Sequence, residues 1–190
     1  MSSPVGHSVI GAAFGVLYFL KPAGRRGLWV QAAEKWPWIL GAALFANLPD
    51  IDYIPGVMAG ELNLYHHGVT HTLGWAALVS LLVWIPLRPK GARGRELSLI
   101  FLLLFSHLAL DWVTADGKEP YGIMILWPFS NNYFISEVPL LPHLRKADFT
   151  ELLDPYNFRI MAVEILRTLP VLLLALACKL FGGRRGAPPL

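Results

Sequence analysis

Apolar residues along the chain fall into five long runs that polar segments separate. The runs predict helices at about residues 4–20, 36–47, 66–87, 97–115 and 155–181. A helix needs about 17–25 apolar residues to cross a bilayer, and the second run is short of this unless it continues past Pro49. The pattern therefore predicts an all-α bundle of about five membrane-spanning helices.

Local signals mark several helix ends and contacts. Ser3-Pro4 and Asp154-Pro155 each pair an N-cap residue with proline at the first helical position. Gly11 and Gly15 form a GxxxG pattern, which lets a second helix approach closely. These signals favour well-defined starts for the first and last helices and a close contact on the first.

Composition supports a membrane protein. The chain has 190 residues, of which 55% are hydrophobic and 15% charged, and its mean hydropathy is +0.49. Soluble domains have about 25% charged residues. We expect a single integral-membrane domain over residues 1–190. Residues 116–154, rich in proline and aromatic residues, are too polar to span and form a mixed outer segment between the fourth and fifth spans.

The basic residues predict the orientation. Most of the 16 Lys and Arg lie between the first two spans, in the 88–95 loop and near the C-terminus. These segments share one side if the spans alternate, and the positive-inside rule makes that side cytoplasmic. The prediction is a multi-pass protein of the cell inner membrane with its N-terminus outside and its C-terminus in the cytoplasm. The net charge of +3 follows from these loops, so no nucleic-acid partner is expected.

The same topology gathers histidine and aspartate at the outer end of the spans. All six histidines are there. An ionisable residue at the centre of a span costs roughly 2.5–3.5 kcal/mol on insertion scales, so such residues usually mark function. The residues concerned are His7, Asp50, Asp52, His66, His67, His71, His107, Asp111 and His143.

Imidazole and carboxylate side chains together are typical metal ligands. His107 and Asp111 are four residues apart, as are His67 and His71, so each pair shares a helical face. These donors suit zinc, manganese or non-haem iron; of these we expect zinc, as one or two ions, with manganese possible. Two ions bridged by a carboxylate would use the whole set better than one. The candidate ligands are His7, Asp50, Asp52, His66, His71, His107 and Asp111, and the candidate catalytic residues are Asp50, Asp52, His66 and His67.

Each feature also has a purely structural interpretation. A single HxxxD pair is weak evidence, Asp50 and Asp52 can solvate a helix end, and Thr70 and Thr72 favour local capping. His143 is typical of a surface histidine. For Glu164, an intrahelical ion pair with Arg167 is the default expectation, and a place in the site is the alternative.

Four motifs in combination resemble the YdjM family. They are Leu48–Asp52, His66–Thr72, His107–Thr114 and Leu126–Ser130, and the resemblance covers roughly residues 5–135. Members are small bacterial and archaeal inner-membrane proteins described, mostly by prediction, as metal-dependent hydrolases and also labelled LexA-binding. The family is distantly similar to zinc-dependent phospholipase C and the S1-P1 nuclease group.

The resemblance implies a ligand set. By position, it assigns metal binding to His7, Asp50 or Asp52, His66 or His71, and His107 with Asp111. The chain departs from the family where His67 replaces a common arginine and where residues 115–120 lengthen a loop. A downstream HxxxE pair is missing, which favours one or two ions over three.

The leading hypothesis is a membrane-embedded metal-dependent hydrolase, a phosphoesterase in which metal-activated water attacks a lipid or lipid-linked phosphate at the outer interface. Asp111 would bind or bridge metal, and Asp50, Asp52 or His66 would orient water or act as base. Membrane lipids are the expected partners, and residues 127–144 would form an interfacial lid. One alternative is a non-catalytic scaffold, although the cytoplasmic loops are short. Another is a proton- or metal-coupled transporter, which would need polar residues at mid-membrane.

Overall fold

The chain folds into helices joined by short turns. A computed structural model describes residues 2–23, 27–117 and 119–182. Within those ranges the only β-structure is two isolated bridges, so the predicted all-α class is confirmed. The helices are α1 Pro4–Phe19, α2 Leu28–Phe45, α3 Tyr53–Met58, α4 Leu73–Trp84, α5 Gly94–Trp112 and α6 Pro155–Phe181.

The first and last helices begin where the capping residues predict. The Ser3 hydroxyl accepts a hydrogen bond from Gly6 N, and the Asp154 carboxylate accepts one from Tyr156 N at 2.8 Å. Thr72 caps α4 by accepting from Trp75 N at 3.0 Å. Each side chain satisfies a backbone donor that the first helical turn leaves free.

The boundaries of the middle helices differ from the prediction. α2 begins at Leu28 rather than near Trp36, because its first turns carry polar residues that interrupt the apolar run without interrupting the helix. The third run becomes helical only at Leu73, since residues 65–71 form turns, and its α-helix ends at Trp84 before a 3₁₀ segment, Ile85–Lys90. α5 lies slightly earlier than the fourth run.

Among the described helices, α6 alone is long and apolar enough to cross a membrane by length and composition. α1 is apolar but shorter. The five-span arrangement therefore stays a prediction. The basic residues Arg25, Arg26, Arg184 and Arg185, on which the orientation partly depends, lie outside the described residues.

α1 is central to the bundle and packs against α2, α5 and α6, while α4 packs against α5. The contact of α1 with α2 is close at Gly11. A Cβ atom there would lie 2.7 Å from both Ala42 O and Ala46 Cβ, so only glycine fits without movement. The GxxxG pattern thus makes the close helix contact that it predicts.

One end of the bundle is covered by residues 113–154, which are mostly irregular. Leu140 N donates to Val113 O at 2.7 Å, and Ser136 N donates to Trp112 O at 2.8 Å, which holds this segment against the end of α5. Leu73 N donates to Ile125 O at 3.0 Å at the start of α4. The segment therefore covers the end of the bundle where α1, α4 and α6 begin and where α2 and α5 end.

Candidate metal centre

Histidine and aspartate side chains from separate elements converge beneath this covering segment. α5 contributes His107 and Asp111, one helical turn apart. His71 comes from the 3₁₀ turn before α4, and Asp50 comes from the 3₁₀ turn Leu48–Asp52 that follows α2. His71, His107 and Asp111 are buried, with 0%, 0% and 3% of their surface exposed.

A backbone contact fixes the orientation of His107. Its Nδ1 atom lies 2.9 Å from Ala46 O. Because a carbonyl oxygen only accepts hydrogen bonds, Nδ1 must carry the hydrogen. In the neutral ring, Nε2 therefore presents its lone pair to the other members of the cluster.

Asp52 orients His71 in the same way. Its Oδ2 atom lies 3.1 Å from His71 Nδ1 and also accepts a hydrogen bond from Thr70 Oγ1 at 2.7 Å. A carboxylate on the far nitrogen of a histidine is the usual outer-shell partner of a metal ligand. His71 Nε2 is thereby directed toward His107 and Asp111.

We call four atoms the central cluster: His71 Nε2, His107 Nε2, Asp50 Oδ1 and Asp111 Oδ2. His71, His107 and Asp111 offer ligand atoms near enough to one another to hold an ion, and Asp50 joins His7 and His107 in a second such group. His107 Nε2 lies 3.2 Å from both His71 Nε2 and Asp111 Oδ2 and 3.5 Å from Asp50 Oδ1. His71 Nε2 lies 3.5 Å from Asp111 Oδ2 and 3.6 Å from Asp50 Oδ1.

These separations fit a metal site. Bonds of 2.0–2.1 Å in a tetrahedral zinc site place the ligand atoms about 3.3–3.4 Å apart, within the observed range of 3.2–3.6 Å. Asp111 Oδ2 is also buried without a hydrogen-bond partner among the described residues. Acceptors this close repel one another unless a cation lies between them, so the donor set suits a divalent ion.

The pKa of His71 also indicates that this point favours a positive charge. Burial acts to lower the pKa of His71, but the neighbouring carboxylates of Asp111, Asp50 and Asp52 hold it well above its ordinary value. The cluster therefore favours a positive charge at this point, whether a proton or a metal ion carries it.

His7 occupies the other side of Asp111. Its ring stacks on His107 with centroids 3.6 Å apart, and its Nε2 atom lies 3.5 Å from Asp111 Oδ1. Ser2 Oγ is 2.7 Å from the same nitrogen, and His7 Nδ1 is buried with no partner in the described part of the chain. Asp111 thus directs one oxygen to the central cluster and the other to His7, as a bridging carboxylate does.

His66 lies beside the central cluster rather than in it. Its Nδ1 atom lies 2.8 Å from Asp52 Oδ1, and its Nε2 atom accepts a hydrogen bond from Lys146 Nζ at 3.1 Å. Burial and then the Lys146 charge lower the pKa of His66 to about 3. With both nitrogens in use, His66 orients Asp52. Its nitrogens nevertheless lie near enough to the ligand atoms of His67 and His71, and to those of Asp50 and Asp52, for either set of three residues to hold an ion.

Hydrogen bonds to two histidines keep Asp52 ionised. Burial acts to raise the pKa of Asp52, but its hydrogen bonds with His66 and His71 hold it below its ordinary value. As a carboxylate, Asp52 can accept a hydrogen bond from His71 Nδ1 and so fix the ring of His71. The structure thus gives Asp52 a position behind the ligand rather than in the central cluster.

His67 lies beside the central cluster, near His66 and His71. It has a φ of 68°, a left-handed conformation that is unusual for a residue other than glycine. The side chain is 4% exposed, its Nδ1 atom lies 3.7 Å from Asp116 Oδ2, and its Nε2 atom has no partner among the described residues.

The sequence model of one family, described as YdjM inner membrane protein, matches residues 1–185. The chain belongs to this family. The resemblance seen in residues 5–135 is thereby confirmed, and it extends through α6. Membership places the chain among inner membrane proteins. No curated protein and no solved structure matches the chain.

A cavity of about 480 Å³ opens beside the centre of this YdjM-family protein. His66 and His67 line it on the side of the cluster, and Gly117 and residues 143–147 line it on the side of the covering segment. His143 is one of these lining residues, and its ring lies 6.4 Å from that of Tyr156. His143 therefore belongs to the cavity and not to the central cluster.

Lys146 is a site residue that sequence reasoning misses. Its Nζ atom donates to Tyr53 OH and to His66 Nε2, and burial lowers the pKa of Lys146 to about 8. A single lysine in an irregular segment has no spacing that could reveal this role.

Glu164 differs from its default expectation. It is fully buried and accepts hydrogen bonds from Ser3 N, at 2.9 Å, and from Ser3 Oγ. The predicted ion pair with Arg167 is wrong, because Arg167 Nη1 instead donates to Leu140 O. Ser2 N in turn donates to Asp111 Oδ1 at 3.1 Å. By binding Ser3, Glu164 thus holds in place the neighbouring Ser2, which contacts Asp111 Oδ1.

Proposed function

We propose that the chain is a membrane-embedded, metal-dependent hydrolase. The observation that carries this proposal is the grouping of His71, His107 and Asp111, with Asp50 beside the two histidines, at the separations of metal ligands. Zinc is the expected ion, with manganese as the alternative, because the donors are imidazole and carboxylate. When bound, such an ion lowers the pKa of water toward neutrality and polarises a phosphoryl or carbonyl group.

The residues around the site would then have distinct roles. Asp52 and His66 form a chain of hydrogen bonds that fixes the direction of His71. Asp111 would bind on one oxygen and presents the other to His7, which forms a second candidate metal group with Asp50 and His107. His67 lines the cavity with an unpaired Nε2, so it is the candidate group for moving a proton to or from substrate.

The reaction that suits this site best is hydrolysis of a lipid or lipid-linked phosphate at the outer membrane interface. The cavity lies at the end of the bundle, beneath a covering segment whose apolar side chains are exposed: Phe129 is 93% exposed and Val138 71%. Exposed apolar side chains next to a site favour contact with lipid. Residues 127–144 would accordingly form an interfacial lid.

The membrane arrangement that fits is five spans with the N-terminus outside and the C-terminus in the cytoplasm. Support comes from the helix directions, because every helix end that supplies the cluster lies at the same end of the bundle. The turn Ile85–Lys90 and the start of α5 place Arg88, Lys90 and Arg93 at the opposite end. Basic residues at that end favour a cytoplasmic location.

Hydrolysis by metal-reloaded protein tests this function. The full chain in detergent is stripped with a chelator, reloaded with zinc or manganese and assayed on phosphomonoester and phosphodiester lipids. We expect activity only after reloading, with loss in His71→Ala and Asp111→Ala and retention in Asp148→Asn, an exposed control. Activity that persists without metal or in both alanine variants would contradict the proposal, as would metal-loaded protein that hydrolyses none of these lipids.

A further inference from the structure

The cavity lies between the covering segment and two histidines that flank the central cluster. His66 and His67 form its inner side, while Asp116, Gly117 and residues 143–147 form its outer side, and the carboxylates of Glu61, Glu119 and Glu151 also line it. Its volume of about 480 Å³ lies within the roughly 300–1,000 Å³ that is usual for small-molecule sites. A ligand in this cavity would contact both the site and the covering segment.

Lys146 brings a positive charge into this cavity. Its Nζ atom contacts Tyr53 OH and His66 Nε2, and it lies 5.0 Å from the centroid of the Tyr53 ring. Among the ion pairs within 4.0 Å that join described residues, none involves Lys146. An ammonium group has three donors, and two of them are used by these neutral partners. Lys146 is half-buried and its hydrogen-bond partners are neutral, so its third donor is left for a ligand.

His67 provides a second, independent indication of a ligand. Its Nε2 atom is buried and has no partner in the part of the chain that the structure describes. Its backbone is held at a φ of 68°, a left-handed conformation that is uncommon for a residue other than glycine and is typical of functional sites. The side chain lines the same cavity as Lys146, so an unpartnered nitrogen and a lysine with a spare donor face the same space.

Arg145, next to Lys146, does not share this position. Its Nη1 atom donates to Asp154 Oδ2 at 3.0 Å, and its guanidinium lies 4.4 Å from the centroid of the Tyr156 ring. Both residues line the cavity, but Arg145 is already paired while Lys146 contacts His66. The chain therefore offers a matched control for the charge of Lys146.

We propose that Lys146 is the residue of the covering segment that recognises a phosphate group of the substrate. It would donate a hydrogen bond to a phosphate oxygen in the cavity, beside the residues that would hold the metal. This assignment rests on the proposed function. It defines the ligand by its chemistry, a tetrahedral phosphate that is either free or carried on a lipid.

Calorimetric titration of the zinc-reloaded full chain with inorganic phosphate tests the assignment. A hydrogen bond to a charged group is worth about 1.5–3 kcal/mol, so Lys146→Met should weaken phosphate binding by at least about tenfold. Lys146→Arg should recover most of the affinity, and Arg145→Met should leave it within about twofold. Zinc content is measured on the same samples, and we expect every variant to keep it, because Lys146 is not a ligand.

The outcomes separate this assignment from the proposed function. Zinc-loaded Lys146→Met that binds phosphate as tightly as wild type overturns the role of Lys146 and leaves the metal centre standing. A wild-type chain that binds no zinc overturns the proposed function itself. Should Lys146→Met lose zinc, Lys146→Arg decides: equal phosphate affinity in Lys146→Arg and wild type supports the role of the charge, and weak binding by zinc-loaded Lys146→Arg overturns it.

A second titration identifies the source of the phosphate. Short-chain phosphatidic acid carries the same group on a glycerolipid. Tighter binding of this lipid than of inorganic phosphate, lost in Lys146→Met, supports a lipid-borne phosphate. Equal affinity for both, again lost in Lys146→Met, supports recognition of the phosphate group alone, and loss of neither overturns the assignment.

Discussion

Asp111 Oδ2 lies 3.2 Å from His107 Nε2, one helical turn away on α5, and both atoms face the same point as acceptors. The Ala46 carbonyl occupies the other nitrogen of His107, so the ring cannot turn its N–H toward Asp111 without losing that bond. This relationship makes α5 one half of a cation site. His71 and Asp50, from two separate turns, supply the other half.

The structure predicts a supporting role for Asp52, which holds His71 by its Nδ1 atom. Asp52→Asn should weaken zinc binding by about 10- to 100-fold, the usual effect of losing an outer-shell partner. The affinity can be measured by competition with a fluorescent zinc chelator. Asp148→Asn is the control, because Asp148 is exposed and its carboxylate bonds within its own turn. Equal affinity in Asp52→Asn and wild type would show that His71 needs no such support.

Glu164 should contribute to stability through Ser3. Glutamine in its place keeps one acceptor oxygen but loses the negative charge and puts an NH2 donor where a carboxylate oxygen accepts from Ser3. Glu164→Gln should therefore lower the free energy of unfolding by about 1–3 kcal/mol. Thermal unfolding in detergent measures the effect, with Glu137→Gln as an exposed control. A melting temperature equal to that of wild type would contradict this role for the buried carboxylate.

The close contact of α1 with α2 depends on Gly11. A Cβ atom there would lie 2.7 Å from Ala42 O, and overpacking of this kind costs about 1–3 kcal/mol. Gly11→Ala should accordingly lower the melting temperature in detergent. Gly41→Ala, in α2, is a matched control, because a Cβ atom at Gly41 meets nothing within 4 Å. If both variants melt alike, the helices do not need glycine at this contact.

The proposed orientation can be tested by labelling single cysteines in intact cells. Cys178 is first replaced by alanine, since it is exposed on α6. A membrane-impermeant maleimide should then label Asn131→Cys, in the covering segment, without lysis. It should label Lys90→Cys, in the turn after α4, only after lysis. The reverse pattern would place the metal centre at the cytoplasmic face.

Much of this arrangement can be read from the sequence because its signals are local. The pairing of His107 with Asp111 follows from helical spacing, and the starts of α1 and α6 follow from the Ser3 and Asp154 caps. The grouping of His and Asp residues at one end follows from the alternation of apolar runs. Each of these features depends on residues close together in the chain.

Other features depend on contacts between distant parts of the chain, which periodicity does not report. His66 looks like a ligand in sequence but has both nitrogens occupied, by Asp52 and by Lys146. Glu164 looks like a surface ion-pair residue but meets Ser3 at the start of α1. The roles of Lys146 and Ser2 likewise arise only when the covering segment and the first residues fold over the cluster.

The measurement that most directly tests the metal centre is the zinc content of purified protein, determined by elemental analysis after incubation with zinc and desalting. Wild type should retain at least one equivalent. Asp111→Asn should retain little, because it loses the negative charge and one of the two oxygens that serve Ser2 and the cluster, while Asp148→Asn should match wild type. Wild-type protein without bound zinc or manganese, or Asp111→Asn with the full wild-type content, would contradict the central claim.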